Sequence, residues 1–389
     1  MEEQLWKACK DGKIEEVQKL LQNSQININW QKQNPYQTEN GFAKTHFYID
    51  ININWQDFKY YAGQTPFYVA CDKGHIEIVK LLLNDNRVDF NKANNNGWTP
   101  FLVACYNGDI EIMKLLLNDN RVDVNKAENY GWTPFYVACD NGHIEIVKLL
   151  LNDNRVDFNK ADIGGLTPFY ITCKKGHTYI MYLLLNDNRV DINKAENYGW
   201  TPFLIACGNG HIEIVKLLLN DNRIDIDKAS NGGWTPSYVA CQKGHIEIVK
   251  LLLNDQRVDI NKANDDWTSF YSACDNGHIE IVKLLLSDQR VDINIADNCK
   301  NTPFFIACYQ GHIEIVKLLL NDNRVDINKS DKYGQTPFYI ACYCRHIEIV
   351  KLLLHGKRVD INKANILGQT PFLIACYYGK TEVVKYLLE

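Results

Sequence analysis

The chain has 389 residues, 46% of them apolar and 23% charged, with a net charge of −5. That balance suits an ordered protein rather than a disordered one. It offers no basic excess to neutralise phosphates, so general nucleic-acid binding is not expected.

The N-terminus, Met1-Glu2-Glu3-Gln4-Leu5-Trp6-Lys7, lacks a basic stretch followed by an apolar run. No signal peptide is expected. The placement of the thirteen cysteines reads as reduced thiols, for which a cytoplasmic or nuclear location is expected. Apolar runs such as Leu251-Leu252-Leu253 fall far short of the ~18 residues of a membrane span. Residues 1–31 read as an N-terminal helix pair with a polar outer face (Glu2, Glu3, Lys7, Lys10, Glu15, Glu16, Lys19). Residues 32–62 break the pattern that follows. They duplicate pieces of it: Ile51-Asn52-Ile53-Asn54-Trp55-Gln56 copies Ile26 to Gln31. They read as a degenerate repeat reduced to an aromatic-rich insertion.

From residue 63 to 389 the chain is periodic. Thr-Pro recurs at Thr65, Thr99, Thr133, Thr167, Thr201, Thr235, Thr302, Thr336 and Thr370, with Thr268-Ser269 filling the gap. The interval is 34 residues, except for 33 before Thr268. Such self-similarity marks a stacked array. In the copy after Gly131, Thr133 is positioned to cap a helix and Pro134 to open it. Phe135, Ala138 and Cys139 share one face, and Gly142 supplies a left-handed stop. A second helix follows, with Ile144, Val147, Leu150 and Leu151 on its buried stripe and a Glu145/Lys148 pair outside. Asn152-Asp153-Asn154 is a turn. Val156-Asp157-Phe158-Asn159 alternates like a short strand edge. One helix pair cannot bury both faces, so neighbours must stack. At ~8–10 Å per packed helix, eleven copies make a curved rod on the order of 100 Å long, with no central cavity.

These residues resemble the ankyrin repeat, whose pattern Thr-Pro-Leu-His-x-Ala is met by Thr133-Pro134-Phe135-Tyr136-Val137-Ala138. The resemblance covers some nine-tenths of the chain and implies an all-α repeat solenoid of helix-turn-helix units with β-hairpin-like turn fingers. Departures are Phe or Ser for the Leu and Tyr, Leu or Phe for the His. The eighth repeat lacks the proline (Ser269) and the turn glycine (Asn264-Asp265-Asp266-Trp267), which predicts a distorted finger. Lys300 and Arg345 stand where glycine belongs in the ninth and tenth.

Cysteine and histidine recur four apart, as at Cys139/His143 and Cys241/His245. Such a pair can share a metal, but here a helix break separates the two, and each repeat supplies only two ligands. Equivalent cysteines lie one helix spacing apart, beyond the limit of about 7 Å for a disulfide. No cysteine is distinguished from its copies by a nearby base, apart from the off-register Cys299 and Cys344, which are expected to be exposed. No cofactor, metal or catalytic residue is assigned. Each arginine of the ladder Arg87 to Arg358 lies beside aspartates and is expected to pair locally rather than form a nucleic-acid stripe.

The resemblance implies partner contacts near the turn glycine and at the ends of the first helices. There the sequence holds Trp98, Trp132, Trp200, Trp234 and Trp267, with Leu166 interrupting the row, and Tyr130 and Tyr198 just before their glycines. The helix ends contribute Tyr106, Tyr309 and Tyr343. Tryptophan and tyrosine are frequent interface anchors. A bracing role for the tryptophans between neighbouring fingers stands beside partner contact. The expected function is a monomeric, non-catalytic scaffold that binds another protein on its concave face. The alternative is a targeting arm for an enzyme domain outside this chain, since Glu389 directly follows an apolar stripe (Val383 to Leu388) with no polar outer face.

Overall fold

A computed structural model describes residues 1–32, 63–263, 267–356 and 358–388. The 32–62 insertion and the finger of the eighth repeat therefore lie almost wholly outside the described residues. The chain divides into two compact halves, Met1–Asp191 and Ile192–Glu389. The first half holds five helix pairs: α1 (Glu2–Lys10) and α2 (Ile14–Leu21), α3 (Pro66–Asp72) and α4 (Ile76–Leu83), α5 (Pro100–Asn107) and α6 (Ile110–Leu117), α7 (Pro134–Asp140) and α8 (Ile144–Leu151), α9 (Pro168–Lys175) and α10 (Thr178–Leu185). The second half holds six: α11 (Pro202–Asn209) and α12 (Ile212–Leu219), α13 (Pro236–Lys243) and α14 (Ile246–Asn254), α15 (Ser269–Asp275) and α16 (Ile279–Ser287), α17 (Pro303–Gln310) and α18 (Ile313–Leu320), α19 (Pro337–Cys344) and α20 (Ile347–Leu354), α21 (Pro371–Tyr377) and α22 (Thr381–Leu388).

Within each half the packing is nearest-neighbour. A first helix touches its own second helix and the first helices of adjacent repeats, as α5 does with α3, α6 and α7. The threonines act as read: Thr133 Oγ1 accepts from Tyr136 N at 3.1 Å and Thr302 Oγ1 from Phe305 N at 3.1 Å. Thr268 caps the helix that begins with Ser269 in the same way, at 3.1 Å from Tyr271 N. Phe101, Phe135, Phe203 and Phe304 are buried to 1% or less exposure, together with the cysteines of the same helices.

The expected strand edge is not one. Among the described residues there is no strand; Val156 and Asp157 are irregular and Phe158-Asn159 form a turn, with Val156 and Phe158 buried. The Asp157 and Asn159 amides are taken by side chains rather than by a ladder. Asn125 Oδ1 accepts from Asp157 N at 2.8 Å while Asn125 Nδ2 donates to the Arg155 carbonyl at 2.6 Å. Asn91, Asn261, Asn294 and Asn328 make the same double bond to the next repeat. At Asp227 a carboxylate replaces the amide. It accepts from Asp259 N at 2.9 Å but has no N–H for the Arg257 carbonyl, and burial raises its pKa. Asp227→Asn is therefore expected to stabilise the chain by about 1 kcal/mol, the net value of one hydrogen bond. A denaturant midpoint that stays put or falls would count against this reading.

From Arg87 to Arg324 the arginine ladder pairs locally, as expected. Arg358, with Gly356 where its copies carry aspartate, instead donates to the carbonyls of Leu320 and Asp322. The paired arginines do one thing more. Arg155 Nη2 contacts Asp153 at 2.5 Å and also donates to the Leu117 carbonyl at 2.8 Å, capping the end of α6 in the preceding repeat. Arg121, Arg189, Arg257, Arg290 and Arg324 repeat both contacts. These arginines hold the partner aspartates (Asp119, Asp153, Asp187, Asp255, Asp288 and Asp322 among them) below the usual carboxylate range. A depressed folded-state pKa means stability that is present above the unfolded value and lost as pH falls through the folded one. Glu128, Asp162, Asp227 and Asp331 are raised by burial and work in the opposite sense. The lowered set is larger, so the melting temperature should drop as pH falls below ~4. Arg155→Gln should flatten that drop, and an unchanged slope would contradict the assignment.

Candidate functional site

The fingers are built on a carboxylate or amide that folds the turn back on itself. Glu128 Oε1 accepts from Tyr130 N at 2.7 Å and Trp132 N at 3.1 Å, and Asp162 Oδ1 accepts from Gly164 N and Leu166 N, both at 2.8 Å. Adjacent fingers are then stitched by backbone: Ile163 N donates to the Tyr130 carbonyl at 3.0 Å in the first half, and Asn231 N to the Tyr198 carbonyl at 2.9 Å in the second. The hairpin-like fingers are thus bonded turns rather than strands. Lys300 and Arg345 adopt the left-handed conformation that glycine takes elsewhere, each with φ of 64°.

The tryptophans sit where each finger meets its first helix. In the first half, Trp98 is half-buried with its ring edge-on to Tyr106 at 5.2 Å. Trp132 is also half-buried, stacks on Tyr136 at 5.9 Å, and donates its Nε1 hydrogen to Asp162 Oδ2 of the next finger at 3.3 Å. Tyr130 is 58% exposed and lies 6.4 Å from Trp132. In the second half, Trp200 meets Trp234 edge-on at 5.7 Å, and its ring covers Gly208, where a Cβ would approach it to 3.5 Å. Tyr198 beside it is 65% exposed and Trp234 36%. Trp267 is exposed and stacks on Tyr271 at 6.3 Å; Tyr343 is exposed and edge-on to Tyr378 at 5.1 Å; Tyr309 is exposed on α17. Geometry of this kind contributes a modest extra attraction over buried area. The tryptophans thus combine ring contacts with partial exposure, while the tyrosines at 130 and 198 carry most of their area into solvent.

The Cys-x-x-x-His pattern acquires a structural role. His143 Nε2 bonds the Tyr106 carbonyl at 2.9 Å, His245 the Gly208 carbonyl at 3.0 Å, and His346 the Tyr309 carbonyl at 2.9 Å, each reaching back to the preceding repeat. The histidine lies at the start of the second helix, as the spacing implied. Where Asp109 replaces it, the carboxylate caps its own helix at Ile112 N, 3.3 Å. The in-register cysteines of the first helices from α1 to α19 are buried, and burial pushes the Cys9, Cys139 and Cys342 thiols up to about 12. Cys299 and Cys344 are half-buried rather than exposed, and Cys376, on α21, is the exposed one. Among the described residues no group of three or more metal-ligating side chains converges. No helix there is long and apolar enough to cross a membrane.

Sequence reasoning passed over Tyr179 and Tyr182. They stand on α10 where the other second helices of α4 to α22 carry a Glu-Lys ion pair such as Glu145–Lys148 at 2.7 Å. Both are about half exposed, on the outer side of the helix. The signal was present in the sequence as the single copy reading Thr178-Tyr179-Ile180-Met181-Tyr182.

Stacked helix pairs joined by bonded turns define a tandem-repeat architecture. The family model described as Ankyrin repeats (3 copies) matches residues 2–127, 67–162, 154–230, 223–297 and 289–365, and that described as Ankyrin repeats (many copies) matches 352–388. The chain belongs to the ankyrin-repeat family. Comparison with curated proteins returned no match.

Proposed function

We propose that this chain is a non-catalytic scaffold that binds another protein through the finger tips and first-helix ends of its halves. Ankyrin repeats generally mediate protein–protein interaction. The observation that carries the finer reading is where the repeats differ. Buried positions are copied almost verbatim, whereas the exposed finger and helix-end positions change from repeat to repeat: Tyr106-Asn107, Asp140-Asn141, Lys174-Lys175, Gln242-Lys243, Tyr309-Gln310. A surface that only braced the array would have no physical reason to vary in this way. Tyr130, Tyr198 and Trp234 combine exposure with support from a neighbouring ring or finger, the arrangement of a pre-organised anchor.

Alanine at Tyr198 together with Trp234 separates anchoring from bracing. Partner capture is expected to weaken by at least about thirtyfold, the loss of one anchor of ~2 kcal/mol. The melting temperature should move by only a few degrees. Unchanged capture beside a collapsed melting temperature would make these residues struts alone.

A further inference from the structure

The seam between α13 and α15 differs chemically from its counterparts. The residue after the helix-opening proline is Phe67, Phe101, Phe135, Phe169, Phe203, Phe304, Phe338 and Phe372 in other repeats, but Ser237 in α13. The proline itself becomes Ser269 in α15, and the β-branched apolar residue of the first helix (Val137, Ile171, Val239, Ile306) becomes Ser272. All three serines are buried, at 2%, 0% and 2% exposure. Two of them meet: Ser269 Oγ donates to Ser237 Oγ at 3.0 Å across the two repeats, and Ser237 Oγ lies 3.1 Å from Thr235 Oγ1. A ring, a pyrrolidine and an aliphatic side chain have thus been exchanged for hydroxyls at one junction.

Two physical consequences follow. The seam loses the apolar area that joins first helices elsewhere, and large-to-small exchange in a core weakens packing strongly. Its hydroxyls also lose little on opening, because water replaces their mutual bonds. An array with nearest-neighbour coupling opens at its weakest junction. We infer that the second half opens reversibly between α13–α14 and α15–α16, a built-in break point that lets the first helices α13 and α15 part without global unfolding. Other links across this junction, such as His278 Nε2 to the Gln242 carbonyl at 3.0 Å, limit the opening to a minor population in the resting chain. The inference concerns the array alone and stands whether or not the partner-binding reading holds.

Native-state hydrogen exchange on the full chain tests it without any partner. Amides of α13 and α15 are expected to exchange at least about tenfold faster than those of α17 and α19, whose seam keeps Phe304, Pro337 and Ile340. The triple change Ser237→Phe, Ser269→Pro and Ser272→Val should bring the two seams level. Ser272→Val alone, which restores the side chain found at Val137 and Val239, should slow exchange part of the way and serves if the triple variant does not fold. Equal protection of the two seams in the unmodified chain would overturn the inference, as would exchange unaltered by Ser272→Val.

Discussion

Phe304→Ala is expected to cost about 3–5 kcal/mol, the usual loss for deleting a fully buried ring. The ring is 1% exposed on α17, which packs on α15 and α19. Because coupling runs only between neighbours, the loss is confined to the junctions beside α17. Urea unfolding followed by circular dichroism should therefore change from one transition towards two, with the α19–α22 repeats separating from those before α17. A closed globular core would instead show one transition moved to lower denaturant with its shape kept. A loss under ~1 kcal/mol would mean that the ring does not hold repeats together.

The helix stops give the second large effect. Gly311 has φ of +82°, where an L side chain is strained by roughly 1–2 kcal/mol. A Cβ there would also stand 2.7 Å from Cε1 of His346, whose Nε2 is held by the Tyr309 carbonyl. The ring must move and give up that bond, worth ~1 kcal/mol. Gly311→Ala should thus destabilise by about 2–3 kcal/mol in total. Part of the cost belongs to the contact and not to the backbone. A cycle with His346→Ala should show a coupling of ~1 kcal/mol, and strict additivity would show that only φ matters. The tenth repeat is the internal control. Arg345 holds the same left-handed conformation, and the repeat after it carries Lys380 where His would press on the stop. A side chain is tolerated at this stop, which no histidine covers, although glycine is also kept at Gly74, which faces Asp109 instead.

That pairing illustrates what the sequence could and could not reveal. Thr133, Pro134 and Gly142 act locally, through caps and dihedrals set within a few residues, so their roles were readable from spacing. Histidine at 143 acts on a carbonyl 37 residues upstream. Its only local trace was the loss of glycine at Arg345 beside the loss of histidine at Lys380. Asn125 read as an ordinary turn former, because its two bonds go to residues 30 and 32 positions onward. Arg155 was readable as an ion pair with Asp153, two residues away, but not as the cap of α6, 38 residues away. The candidate site divides along the same line. Aromatic type and position near the glycine were legible at Trp132 and Trp200. How much of each ring lies under the neighbouring finger depends on stacking, which no single repeat encodes. The wet residues proved to be the tyrosines at 130 and 198 more than the tryptophans beside them.

In the proposed function, a copied frame presents its fingers and first-helix ends to the partner. The most direct measurement is a hydrogen-exchange footprint of the full chain with its bound protein partner, read separately for each half. Protection is expected around Tyr130 and Trp132 in the first half and around Tyr198 and Trp234 in the second, with the Glu145–Lys148 and Glu213–Lys216 stripes unchanged. A footprint centred on those ion-paired stripes, with the finger residues exchanging as in the free chain, would contradict it.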